Sequence, residues 1–204
     1  MSLAKSLISV GLITLQLSIH TTAHTQQDKY DRLEKAANLL RQGDSIAAET
    51  ELVEILRASP RDPNALNLLG VVRAQQKRSA EAEKLFLNAI NQAPKLSGPY
   101  MNLGRLYFDQ KKTDRALWAY NNAALLAPTN SEVQYQLALL YAESRNFAKA
   151  LAHLKNIPKA SWRAEEFYLA TTSYLALDQK NEVRDLVSTL NATAILDDAQ
   201  IAAL

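Results

Sequence analysis

Residues 63–96 read PNALNLLGVVRAQQKRSAEAEKLFLNAINQAPKL, and residues 97–130 read SGPYMNLGRLYFDQKKTDRALWAYNNAALLAPTN. Laid one over the other, these two stretches keep the same residue types at the same places. Gly70 meets Gly104, Ala82 meets Ala116, Phe86 meets Tyr120, Ala89 meets Ala123 and Pro94 meets Pro128. The echo extends outward in both directions, to Ala48 and Pro60 on one side and Ala150 on the other. Self-similarity at a fixed period marks an array of small units, each unable to bury its own apolar face without a neighbour. Such an array offers a surface more than a catalytic pocket.

Within each period the apolar residues recur at helical spacing and break at short polar turns. Helices are expected at Tyr30–Gln42, Ser45–Ala58, Pro63–Gln75, Ala80–Gln92, Gly98–Gln110, Asp114–Leu126, Ser131–Glu143 and Phe147–Asn156. Ser79 and Thr113 are expected N-caps, because a hydroxyl can accept from a free first-turn amide. The prolines close the units, since the residue before a proline disfavours the helical region. Gly70, Gly104 and the repeated alanines are small where paired helices must approach closely. Phe86 and Tyr120 are large, and are expected to fill the gap from one unit to the next.

Both quoted stretches carry a bulky residue, then Leu-Gly in the first helix, and Ala, an aromatic, Ala and a closing Pro in the second. This pattern resembles the tetratricopeptide repeat family. The resemblance covers residues 29–164, in units of 29–62, 63–96, 97–130 and 131–164. Units two and three match closely, with Arg73 in place of an aromatic. Units one and four are looser: Ala36 and Ala138 take the glycine place, and Trp162 stands where the closing proline belongs. Residues 165–204 read as a degenerate fifth helix pair, with Glu182 where alanine is expected, and a capping helix at Asp197–Leu204. The resemblance implies an all-α fold, a right-handed alpha-alpha superhelix or solenoid, with first helices inside and second helices outside.

The start of the chain differs in character. Lys5 precedes an apolar run, Leu7–Ile19, and Thr21 and Ala23 occupy the −3 and −1 places of a small-residue cleavage site. That order is the signature of a secretory signal over residues 1–23. The run is short of the roughly 20 apolar residues a spanning helix needs, and an uncleaved N-terminal anchor is the alternative. Export points to a periplasmic or secreted protein. Cysteine is absent, so disulfides, thiolate chemistry and a lipid-anchored cysteine are excluded.

In the implied geometry, the residues one step around from the packing stripe line a concave groove. They are Asn67, Val71 and Gln75; Met101, Arg105 and Phe108; and Tyr135 and Leu139, with Leu33 and Leu40 as their counterparts in unit one. Asn67 can bond a peptide backbone through both amide ends, and Arg105 can grip a carboxylate. Met101, Phe108 and Tyr135 offer an adaptable apolar floor. The alternative for these three is inter-unit core. Leu33, Ala37, Asn67 and Val71 do not supply the Lys, Asn and Arg set with which some members clamp a C-terminal carboxylate.

Lys+Arg 23 against Asp+Glu 21, spread without runs, argues against a nucleic-acid binder. His20, His24 and His153 form no metal-ligand spacing, and no phosphate loop or nucleophile motif is present. Trp118 and Trp162 read as packing residues. The expectation is a non-catalytic adaptor, without cofactor or metal, whose partner is a peptide or protein. The alternative is a structural assembly factor for a cell-envelope complex.

Overall fold

The computed structural model describes residues 26–193. The expected signal segment and the expected helix at Asp197–Leu204 lie outside these residues, as do His20 and His24. Among the described residues the regular structure is helical. The order is α1 (26–41), α2 (Ser45–Ala58), α3 (Pro63–Gln75), α4 (Ser79–Gln92), α5 (Ser97–Asp109), α6 (Thr113–Leu126), α7 (Ser131–Glu143), α8 (Phe147–Leu154), a 3₁₀ turn at Lys159–Ser161, α9 (Ala164–Ala176) and α10 (Lys180–Thr193). Two compact units divide after Ala93.

In the first unit, α1, α2 and α3 bury Leu33, Ala36, Leu40, Ala48, Leu52, Ile55, Ala65, Leu69 and Val72 against one another. Leu33 and Leu40 therefore belong to the core and not to a surface stripe, correcting the expectation for unit one. In the second unit, α7–α10 share a core of Ala138, Ala150, Leu151, Leu154, Ile157, Trp162, Phe167, Leu169, Ala170 and Leu186.

The helix pairs close on their glycines. A Cβ added at Gly70 would fall 2.5 Å from Phe86 Cε1, and one at Gly104 would fall 2.9 Å from Tyr120 Cδ1 and Cγ. Each ring thus presses on the first helix of its own repeat. Tyr120 also comes near Glu132 of the next repeat, so the expected filling of the gap between units is joined by closure of the unit itself.

The turns inside the repeats follow one rule. Gly43, Lys77, Lys111 and Arg145 all have left-handed backbone, with φ of 83°, 62°, 59° and 58°, and Asp178 joins them at 56°. The amide of the next residue then donates back five residues: Arg78 to Arg73 O, Lys112 to Tyr107 O and Asn146 to Tyr141 O. This is the Schellman closure, which satisfies carbonyls that the helix end leaves orphaned. It also explains why Ser79 and Thr113 are not caps. The closure makes each the first helical residue, and Arg78 and Lys112 hold the cap places without a side-chain bond. Side-chain caps occur elsewhere: Asp44 accepts from the Ala47 amide, Asp62 from Asn64 and Ala65, Asn130 from Val133 and Asn146 from Lys149.

Arg73, Tyr107 and Tyr141 hold equivalent places, and each faces a charge from its own second helix. Arg73 pairs with Glu81 at 3.4 Å. Arg115 stands over the Tyr107 ring at 5.7 Å, and Lys149 over the Tyr141 ring at 5.0 Å. Where the first residue is a cation the second is an acid, and where it is a ring the second is a cation.

The fourth repeat is truncated. Its second helix stops at Leu154, two residues before the expected Asn156, because the Pro158 ring would clash with the Leu154 carbonyl in a continued helix. The 3₁₀ turn then lays Trp162 into the core, its Nε1 donating to Ile157 O at 3.0 Å and its ring meeting Phe167 edge-on at 5.1 Å. Trp162 is a packing residue, as expected. Here one residue is lost from the period, so α9 follows α7 by 33 positions. That slip places exposed Glu182 beside half-buried Val183, which occupies the alanine place.

Candidate functional site

The outer stripes of the first helices are the candidate partner-binding surface. In the first unit, α3 leaves Asn67 and Val71 half-buried and Gln75 exposed, while Leu66, Leu69 and Gly70 face the core. Val71 packs partly on that core. In the second unit, α5 leaves Met101 and Phe108 half-buried and Arg105 exposed, while Tyr100, Leu103, Gly104 and Tyr107 are buried. The helical period produces this split, since residues one step apart point about 100° apart around the axis. On α7, Tyr135 and Leu139 are half-buried and lean on the core of α7–α10. Inter-repeat packing thus claims part of these two side chains and leaves the rest accessible.

Arg105 already has a carboxylate. Its Nη2 donates to Glu132 at the start of α7, both side chains being about half exposed. The pair ties α5 to α7 across the stripe. Tyr120 comes up beneath it, and burial foremost, then Glu132 and Asp109, raise its phenol above the ordinary range, against the Arg105 guanidinium. Tyr135 is raised too, first by burial, then by Glu166 and Glu165, with Arg163 opposing. Ser131, Glu132, Tyr135, Gln136, Ile157, Ser161, Arg163 and Glu166 line a cleft of about 500 Å³ between the starts of α7 and α9.

The stripe continues onto the next first helix, α9, beyond the residues expected to form it. Tyr168, Thr172 and Leu175 on α9 repeat the spacing of Tyr135, Leu139 and Ala142 at the shortened interval. Tyr168 is 58% and Leu175 47% exposed, more open than any apolar residue of the α7 stripe. Their signal is the 33-residue interval from α7 to α9, one short of the period elsewhere. Gln134 was also missed. It takes a bulky apolar place in its repeat, is buried, and is fully engaged. Its Nε2 donates to Pro128 O at 2.9 Å, so its Oε1 faces His153 Nδ1 at 2.8 Å and Asn156 Nδ2 at 3.1 Å. His153 is half-buried and stacked on Tyr141 at 5.3 Å. Trp118, expected to pack, does so in part: it is 49% exposed and tilted against Tyr100 at 5.9 Å.

Paired helices, each first helix closed by a left-handed turn and the two central pairs sealed by a ring on a glycine, define a helical-repeat scaffold with an exposed stripe. The chain belongs to the tetratricopeptide repeat family, whose model matches residues 33–97 and 101–165. Among curated proteins it is similar to Protein O-mannosyl-transferase TMTC3 of Homo sapiens, 29% identical over 130 residues, which is 63% of this chain and 14% of that protein. The chain therefore spans about a seventh of the length of that relative. Among solved structures it resembles a tetratricopeptide repeat protein from Parabacteroides merdae ATCC 43184, with TM-score 0.66 and 21% identity over 85% of this chain and 70% of the other. It also resembles the structure of Naa15/Naa10 bound to HypK-THB, with TM-score 0.67 and 19% identity over 81% of this chain and 25% of the other. These likenesses establish the fold. No described helix is long and apolar enough to cross a membrane.

Proposed function

We propose that this protein is a non-catalytic adaptor that holds a peptide or a segment of a partner protein against the outer stripes of its first helices. The observation that carries this reading is the contrast along α5. Tyr100, Leu103, Gly104 and Tyr107 are buried there, while Met101 and Phe108 stay partly accessible and Arg105 is exposed. Packing has no need of these residue types, and α9 carries the same stripe onward with Tyr168 and Leu175. Fold neighbours include a complex with bound HypK-THB, which is in keeping with a partner-binding role. The transferase chemistry of a protein of which the chain spans 14% is not carried over.

The reading extends to place. The sequence of residues 1–23 supports export with removal of that segment, and N-terminal sequencing of the mature protein tests it. The binding role is tested by crosslinking the mature chain to its partners in cells and comparing an Arg105→Glu/Phe108→Ala variant. Loss of the crosslinked species supports the stripe, and an unchanged pattern counts against it. The half-exposed Trp118 of α6 favours a second reading, an assembly factor that docks through its second helices; Trp118→Ser is the matching variant.

A further inference from the structure

The α5–α7–α9 stripe of the second unit is apolar in its floor and acidic in its setting. Met101, Phe108, Tyr135, Leu139, Tyr168 and Leu175 supply aromatic and aliphatic surface. Two phenols sample the field around it. Tyr120 feels the carboxylates of Glu132 and Asp109 against the single guanidinium of Arg105. Tyr135 feels those of Glu166 and Glu165 against the single guanidinium of Arg163. At both places two carboxylates face one cation. The resident cations are also largely spent: Arg105 donates to Glu132, and Arg163 donates to Glu166 at 3.1 Å and reaches Glu165 only at 4.0 Å. Other cations lie in the flanking turns: Lys111, Lys112 and Arg145 after α5 and α7, and Lys159 before α9, where its amine stands over the Trp162 ring at 5.9 Å. A segment bringing acidic side chains here would add like charge to a surplus of carboxylates. One bringing lysine or arginine would complete it, while its apolar residues cover the floor.

Resting on the binding role proposed above, we infer that the occupant of this stripe is a cationic–apolar peptide segment, with Lys or Arg beside aliphatic or aromatic residues. The cation sits between Glu132 and Glu165, next to the Tyr135 hydroxyl, and the apolar residues lie along Leu139, Tyr168 and Leu175.

Selection of displayed random dodecapeptides against the full chain tests this. The expected pool is enriched in Lys and Arg together with large apolar residues and depleted in Asp and Glu. A labelled synthetic peptide carrying the pool consensus should bind about fivefold or more weakly to Glu132→Gln/Glu165→Gln, with a shallower dependence on salt. Both glutamates are surface residues, and circular dichroism should show the fold unchanged. A pool rich in acidic residues, or an unaltered affinity for the double variant, overturns the charge assignment while leaving the binding role standing. An absence of enrichment, or a peptide whose binding is indifferent to Tyr135→Ser/Tyr168→Ser, overturns both.

Discussion

The Arg73 guanidinium grips the Glu49 carboxylate with both terminal nitrogens, at 2.6 and 2.7 Å, from α3 back to α2 of the preceding repeat. Arg73 is the departure from an aromatic consensus in the best-matched part of the chain, and this grip is its compensation. Only 12% of its side chain is exposed, so the aliphatic stem packs where a ring would and the charge is met at the rim.

Removing that partner should cost stability. Glu49→Gln is expected to lower the unfolding free energy by about 1–2 kcal/mol at neutral pH, as loss of a charge-assisted bidentate bond does. The Glu49 carboxyl is held down to about 2, chiefly by its bonds from Arg73. A lowered carboxylate contributes fully above its ordinary value of 4.5, and the contribution fades as pH falls toward about 2. Urea titrations through that window should show the wild-type protein losing more stability than Glu49→Gln. Parallel losses contradict this account.

The ring-on-glycine contacts set an order of sensitivity. Alanine is favoured over glycine within a helix by about 1 kcal/mol, yet at Gly70 its Cβ would overlap Phe86 at 2.5 Å. Gly70→Ala is expected to be net destabilising by about 1–2 kcal/mol, as overpacking costs more than propensity returns. Gly104→Ala, with 2.9 Å to Tyr120, should cost less. Adding Phe86→Leu to Gly70→Ala should recover part of the loss, because the ring atoms that clash are gone. Thermal melts of the three variants decide it.

The left-handed turns point the other way. A lysine at φ of 59° carries a steric cost that glycine does not. Lys111→Gly should raise stability by about 0.5–1 kcal/mol, and Lys111→Val should lower it by a similar amount. Chemical denaturation that ranks valine above glycine here would sink the Schellman assignment.

The buried amide couples α7 to α8 and adds a pH dependence. Burial foremost, then Lys149, lowers the His153 pKa below its ordinary 6.5. A group lowered in the folded state stabilises fully above 6.5, and that stability drains away as pH falls below it. His153→Gln should flatten the fall in melting temperature below pH 6.5. Gln134→Leu should cost about 1–3 kcal/mol, because it strands the Pro128 carbonyl and the Asn156 amide. Melting temperatures measured across that pH range compare the two variants.

The architecture was legible because close packing writes itself in residue size. Gly70 with Phe86 and Gly104 with Tyr120 are small–large pairs at one fixed separation, and no other fold constraint repeats them so regularly. Helix bounds at Ser45–Ala58, Pro63–Gln75 and Ser131–Glu143 follow from the same period. What escaped has physical reasons. Of the residues in left-handed turns only Gly43 advertises that backbone; Lys77, Lys111 and Arg145 look like ordinary solvated turn residues. Glu49 and Arg73 are far apart in sequence and each alone reads as surface. Gln134 breaks the apolar rule at its place, and only the fold brings its three partners together. The candidate stripe was half visible: Met101, Arg105 and Phe108 could be placed by phase along α5. Tyr168, Thr172 and Leu175 were hidden by the residue lost beside Trp162.

The trade between Arg73–Glu81, Tyr107–Arg115 and Tyr141–Lys149 has a consequence for descent. Both members of each pair sit in one repeat, so each repeat carries its electrostatic complement with it when it is copied, excised or spliced elsewhere. A duplicated cassette can drift from ion pair to cation over ring largely by changes within itself, although the ion-pair form also draws on Glu49 of the repeat before it. Lineages of such arrays can therefore lengthen and shorten while each module keeps its own partner for the residue that closes its first helix.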